Sequence, residues 1–166
     1  MAATLDPLTE ADFATVASLG ETIWRNHYIG MITAEQVEYM LQGRYTPEKL
    51  RAYLGAPDRW LKLLRVEGRA VGYTSWSIGP TPREMKLEQL YLLAEMKGRG
   101  LGGLMLRHVE DDARARGCAS VWLTVNKGNA GSIAVYKKAG YAVREEAVFD
   151  IGNGFVMDDF VMEKRL

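Results

Sequence analysis

The stretch LEQLYLLAEMKGRGLGGLMLRHVEDDARAR, Leu87 to Arg116, constrains this chain most, because an apolar strand-like run meets a glycine cluster and passes straight into an amphipathic helix. Lys97-Gly98-Arg99-Gly100-Leu101-Gly102-Gly103 puts four glycines in six positions, so backbone there can approach a ligand without Cβ interference and adopt positive φ. The helix that follows has Leu101, Leu104, Met105 and Val109 as its apolar stripe and Gly117 as its stop. Its first N–H groups have no intrahelical acceptor and its dipole favours negative charge. With Lys97 and Arg99 beside it, the loop reads as an anion site for a phosphate-bearing ligand.

The rest of the chain reads as alternating helical and strand segments. Thr9 with Asp12, and Phe13, Val16, Ala17 and Ile23 behind them, predict a helix over 10–25. Thr33 with Gln36 opens a second helix through Val37, Met40 and Leu41, and Thr46-Pro47 opens a third that runs to Leu54 before Gly55. Between the first two, Trp24 to Gly30 mixes aromatic and polar groups; such a segment either walls a pocket or anchors a loop on the core. Period-two patterning then predicts a hairpin, Leu61–Val66 and Ala70–Ser77 about a Glu67-Gly68-Arg69 turn, and a loop at Gly79-Pro80-Thr81-Pro82. A strand over Met85–Leu93 leads into the glycine cluster, Asp111 and Asp112 read as the solvated face of the helix after it, and Ala119–Val125 is the next strand. A short helix with Ile133, Tyr136 and Ala139 follows, then strands at Ala142–Phe149 and Phe155–Lys164 about a hairpin connection. The strand, helix, strand unit over 85–125 implies two parallel strands with ligands at their carboxyl ends.

Composition excludes several classes. A chain of 166 residues with 48% apolar content suits one domain spanning 1–166. Lys plus Arg equal Asp plus Glu at 21 each, so nothing global draws nucleic acid or an anionic membrane. The single Cys118 cannot form an internal disulfide, and with His27 and His108 isolated in sequence no metal site is expected. The first residues lack a signal-peptide pattern and no apolar run reaches membrane-spanning length, so a cytoplasmic protein is expected.

Gly98-Arg99-Gly100-Leu101-Gly102-Gly103 formally satisfies GxGxxG, but a Rossmann site wants an acidic residue at the end of the following strand, which here ends Val125-Asn126-Lys127. The residues instead resemble the GNAT superfamily of acetyl-coenzyme A-dependent N-acetyltransferases. That family's pyrophosphate signature is Arg or Gln, two residues, Gly, any residue, Gly or Ala; here it is Lys97-Gly98-Arg99-Gly100-Leu101-Gly102, with Lys in the first place. The resemblance continues through Leu90-Tyr91-Leu92, Thr124-Val125-Asn126, Asn129, Ser132, Tyr136, Ala139-Gly140-Tyr141 and Met162-Glu163-Lys164. It implies an α+β fold: a mixed, mostly antiparallel central sheet with a parallel splayed strand pair and helices on both faces.

The resemblance also implies roles. Leu92 and Leu93 would sit at the splay, their main-chain groups holding the pantetheine arm and polarising the thioester carbonyl. Lys97, Gly98, Arg99, Gly100, Gly102 and Gly103 would bind the pyrophosphate, and Asn129 and Ser132 would contact the cofactor while also suiting a helix cap. Tyr136 would be the general acid for the departing thiolate, and Glu88 would be the base for the amine, unless water chains serve. Trp24, His27 and Tyr28 with Asp158 or Asp159 would line the acceptor site; successive strand residues face opposite ways, so only one aspartate points at a given face. The expected reaction is direct acetyl transfer to a primary amine of a polyamine, an amino-acid derivative or a peptide, without a covalent intermediate. Two other readings stay in competition, a non-catalytic acyl-coenzyme A-binding module and a nicotinamide-dependent oxidoreductase. Many members of the family pair as homodimers, and oligomeric state stays open.

Overall fold

The strand that leads into the glycine cluster lies in the middle of a seven-stranded sheet, flanked on both sides. In the computed structural model, which describes residues 2–79 and 81–166, the order is β1-β2-β3-β4-β5-β7-β6, with β1 Ala3–Pro7, β2 Arg59–Val66, β3 Arg69–Ile78, β4 Glu84–Leu92, β5 Ser120–Asn126, β6 Ala142–Gly152 and β7 Phe155–Arg165. Every neighbouring pair is antiparallel except β4 and β5. This is the mixed, mostly antiparallel sheet expected from the sequence. Pro80, in the expected Gly79–Pro82 loop, lies outside the described residues.

Among the described residues five α-helices, α1 Phe13–His27, α2 Ala34–Leu41, α3 Pro47–Arg51, α4 Leu101–Ala115 and α5 Ala130–Lys138, cover the sheet. Leu63 and Leu64 show how the layers arise, since successive strand residues face opposite sides. Leu63 joins Val16, Leu19, Ile23 and Leu50 beneath α1–α3, while Leu64 joins Leu101 and Met105 of α4. A further apolar cluster puts Leu106, Val109 and Ala113 of α4 on Trp76, Met85 and Val121. Thr33 and Thr46 cap α2 and α3 through their side chains, as their sequence positions imply.

Four features differ from the sequence reading. A first strand, β1, pairs with β2 along the sheet edge; five residues ending in Pro7 carry too little pattern to announce themselves, and the pairing is tertiary. The first helix runs two residues past Arg25, to His27, whereas α3 ends at Arg51 rather than Leu54. The last two strands continue through the expected connection to a two-residue turn at Asn153 and Gly154, whose φ angles of 54° and 77° suit a type I′ hairpin. Finally, Asp112 is not simply solvated: it accepts hydrogen bonds at 2.8 Å from Nε1 of buried Trp76 and from Nε of Arg116.

One glycine of α1 sets how closely the helices approach the sheet. A Cβ on Gly20 would lie 2.5 Å from Cε2 of Tyr45, whose ring is buried and whose hydroxyl bonds to Tyr73 and to Gln89. Tyr45 therefore has no cheap way to move aside. We expect Gly20→Ala to lower stability by about 1–2 kcal/mol, overpacking outweighing the better helix propensity of alanine, and a denaturant midpoint read against wild type would measure it.

Candidate active site

The site begins where the parallel pair stops pairing. β4 and β5 are in register only from Glu84–Lys86 to Ser120–Trp122. On the other side of β4, Trp76 pairs with Leu87 and Ser75 with Gln89, so Glu88 is an extra residue in a β-bulge. A bulge bends its strand, and β4 leaves β5 from this point. The bulge falls on Glu88 itself, so the strands part ahead of Leu92 and Leu93, where the resemblance put the splay.

Antiparallel pairing decides which main-chain groups face the gap. Leu93 N–H donates to the carbonyl of Val71, which makes Leu92 opposite Gly72 a pair without mutual hydrogen bonds, and the same alternation makes Leu90 opposite Thr74 another. The N–H and C=O of Leu90 and Leu92 consequently point away from β3, toward the gap. Leu93 does not share this property, because its N–H is engaged by Val71 and its carbonyl accepts from Met96. The expected pair of leucines is in this respect Leu90 and Leu92.

A cavity of about 270 Å³ opens in the gap. Its walls bring together most of the residues singled out in the sequence, Trp24, His27 and Tyr28 from α1 and its end, Glu88 from β4, Asn129, Ser132 and Tyr136 from α5, and Asp159 from β7. Trp24, His27 and Tyr28 share one helix face by their spacing of three and four, so the longer α1 is what aims them inward. Asp158 is not in the wall; it faces out and pairs with Lys127 at 2.9 Å.

Several hydrogen bonds fix this wall. Asn129 caps α5, its Oδ1 accepting from Ser132 N–H at 3.2 Å, and this orients its amide so that Nδ2 donates to Nε2 of His27 at 2.8 Å. His27 accordingly carries its proton on Nδ1, and burial together with the charge of Lys97 lowers its pKa, which favours the neutral ring. Tyr28 and Tyr91 share a hydroxyl contact at 3.3 Å, and burial raises both phenols above their ordinary value. Glu88 accepts from Ser77 Oγ at 2.9 Å and pairs with Lys86 at 3.4 Å. The hydroxyl of Tyr136 makes no hydrogen bond to any described residue, and burial, with the nearby Tyr91, raises its pKa so that it stays protonated.

Three buried polar atoms of this wall lack a well-formed hydrogen bond among the described residues, Nε1 of Trp24, Nε of Arg44 and Oδ1 of Asp159, although the Trp24 indole lies close enough to the Tyr45 hydroxyl to act on it. Arg44 stacks its guanidinium over the Trp24 ring at 4.5 Å. Sequence reasoning missed it, since a lone arginine after Gly43 carries no pattern. Asp159 is 6% exposed, and burial plus the charge of Asp158, opposed by Lys127, lifts its carboxyl to about 6. A raised carboxyl pKa means that the folded state binds this proton more tightly than the unfolded chain, so the ionised Asp159 costs stability at neutral pH and the cost fades as pH falls through 6 toward 4. Asp159→Asn is expected to gain roughly 2 kcal/mol over wild type at neutral pH, a gap that closes across that window in melts run at stepped pH.

The glycine cluster lies beside the cavity, close enough for the charge of Lys97 to act on His27. Gly98 and Gly100 have φ of 79° and 78°, the left-handed region that favours glycine, and Leu104 is the residue whose N–H first reaches back, to the carbonyl of Gly100. Leu101, Gly102 and Gly103 thus offer helix-terminal amides without intrahelical acceptors. Gly102 has ordinary φ, and a Cβ built on it meets nothing within 4 Å. No group of His, Cys, Asp and Glu among the described residues could hold a metal, and no helix is long and apolar enough to cross a membrane.

A bulged strand splaying from a parallel neighbour, followed by a glycine-started helix, is the arrangement that the resemblance to the GNAT acetyltransferases implied. The pattern of the Acetyltransferase (GNAT) family matches residues 19–141. This chain belongs to that family and is an N-acetyltransferase. An uncharacterized N-acetyltransferase of Mycobacterium tuberculosis is 28% identical over 135 residues, 81% of this chain and 85% of its own. Spermidine N(1)-acetyltransferase of Thermoplasma acidophilum is 24% identical over 162 residues, 95% of this chain and 94% of its own. The crystal structure of PaiA N-acetyltransferase from Thermoplasma acidophilum in complex with coenzyme A shares the fold over 100% of both chains, with a TM-score of 0.84 and 23% identity.

Proposed function

We propose that this enzyme transfers an acetyl group directly from acetyl-coenzyme A to a primary amine of a small molecule. The observation that carries the reading is the continuity of the splayed gap with a cavity lined by Tyr136, whose hydroxyl makes no hydrogen bond to any described residue. The residues fit the donor: Gly102 leaves open the space a Cβ would take, and the amides after Gly100 suit a pyrophosphate. Acetyl-coenzyme A supplies an activated thioester, whose C–S bond breaks as the N–C bond to the amine forms, the amine losing one proton and the sulfur gaining one.

The chain's own groups then have separable tasks. Leu90 and Leu92 present main-chain groups along the gap, to hold the extended arm and donate to the thioester carbonyl. Tyr136 donates a hydrogen bond from Oη to the departing sulfur. Its raised pKa keeps that proton in place until positive charge on the attacking nitrogen makes the phenol more acidic. Glu88, at the bulge and among the residues that line the cavity, takes the amine proton directly or through water. Asn129 acts by position, joining the cap of α5 to His27 and so setting Tyr136 against the aromatic wall.

A thermal-shift titration with acetyl-coenzyme A, coenzyme A and NADH tests the donor, because a ligand bound only by the folded state raises stability once it exceeds its dissociation constant. Stabilisation by both coenzyme A forms and not by NADH is expected, with thiol release on adding an amine acceptor. Stabilisation without thiol release across a broad amine panel would point to a binding module instead.

A further inference from the structure

We propose that the acceptor is zwitterionic, a small molecule of the amino-acid type whose carboxylate is taken by Arg44 and whose amine is drawn to Asp159. The inference rests on the acetyl-transfer reading above and names the substrate class of that same cavity. Buried polar groups are almost always paired, so each exception calls for an explanation. Four side-chain atoms among the described residues are exceptions, and three of them, on Trp24, Arg44 and Asp159, belong to this one cavity. They are two donors and one acceptor.

Their arrangement is specific. Arg44 has no ion pair among the described residues; its guanidinium rests on the Trp24 ring. The charged neighbours that act on Asp159 are Asp158 and Lys127, and Arg44 is not among them, although both Arg44 and Asp159 act on the hydroxyls of Tyr28 and Tyr91. Both charges thus lie within reach of the Tyr28 and Tyr91 hydroxyls, and they are not paired with each other. A polyamine would satisfy Asp159 and leave a cation facing Arg44, whereas an amino acid satisfies both.

The orientation also suits the chemistry. Asp159 pairs with Asn126 at the carboxyl end of β5, three residues before the cap of α5, the helix that carries Tyr136. Arg44 lies on the helical side, over the Trp24 ring, where a carboxylate would accept from its unpartnered Nε. Beside the two charged groups Tyr28, Tyr91 and Met157 provide an apolar to amphipathic wall, suited to the side chain of an amino acid.

The test is a thiol-release and calorimetric comparison of the common L-amino acids with their carboxamides, plus spermidine, on the full chain, binding being read with coenzyme A present. The expected result is a best acid preferred over its own amide by about tenfold or more in kcat/KM, because an amide leaves the buried Nε of Arg44 without a charged partner. In Arg44→Gln the ratio should collapse to near one, and Arg44→Lys should restore part of it, since a point charge replaces a planar fork. Amides or spermidine used as well as the acids, or a preference that survives Arg44→Gln, would overturn the zwitterion and leave acetyl transfer standing. No amino acid bound or acetylated, in protein that acetyl-coenzyme A still stabilises, would likewise overturn the acceptor class alone. Loss of any response to acetyl-coenzyme A would instead remove the donor reading, and this proposal with it.

Discussion

Tyr136→Phe is expected to lower kcat by about 10²-fold while leaving the KM for acetyl-coenzyme A and the melting temperature near wild type. The stability half of that expectation comes from the hydroxyl's surroundings. Its Oη bonds to no described residue, so removing it orphans nothing, and phenylalanine keeps the ring contact with Tyr141 at 5.9 Å between centroids. The kinetic half comes from the sulfur, which leaves as a poorly solvated anion while Asn129 is tied to His27, Tyr28 to Tyr91, and the Arg44 guanidinium is held over the Trp24 ring. Steady-state kinetics with the best acceptor, checked by pre-steady-state thiol release to ensure that transfer limits turnover, measure the effect. Turnover at the wild-type rate under that condition would remove Tyr136 from the proton path.

How much of this site was legible in the sequence depends on the range of the interactions. The glycine cluster and the start of α4 are local, set within about ten residues, and both were readable from spacing alone. So were Thr33, Thr46 and Asn129, because a cap needs only its own first turn. The bulge at Glu88 was not, since it is a mismatch between β3 and β4 and exists only once Ser75 and Trp76 have chosen their partners. Arg44 is harder still. Its meaning lies in what it fails to touch, and an unpaired guanidinium over Trp24 has no signature in a neighbourhood of Gly43 and Tyr45.

The Asp158-Asp159 pair shows an intermediate case. Alternation along a strand was enough to say that only one of the two could face the site, but not which, and pairing decided it. Asp159 stands opposite both Asn126 of β5 and Ala147 of β6, buried between strands, while Asp158 is caught outside by Lys127. The same packing that raises the carboxyl of Asp159 keeps it without a partner. That is a stability cost of the kind a binding site retains.

Gly102→Asp separates folding from binding more sharply than any other change in the loop, and it should weaken acetyl-coenzyme A by about 10²-fold without lowering the melting temperature. Nothing in the chain requires glycine at 102: φ is ordinary, the position is in the first turn of α4, and a Cβ there enters open space. An acidic side chain in a first turn even helps the dipole by about 0.3–1 kcal/mol. Against a bound pyrophosphate the same carboxylate is a like charge a few ångströms away, worth several kcal/mol at an effective dielectric near 20 before screening. Gly100→Asp is the contrast, because its φ of 78° strains any side chain whether or not a ligand is present, so stability falls by about 1 kcal/mol in the free protein. Isothermal calorimetry with acetyl-coenzyme A on both variants, beside their unliganded melts, reads the two effects apart. A Gly102→Asp protein that binds acetyl-coenzyme A at full affinity would place the pyrophosphate elsewhere and leave the open space beside Gly102 without a function.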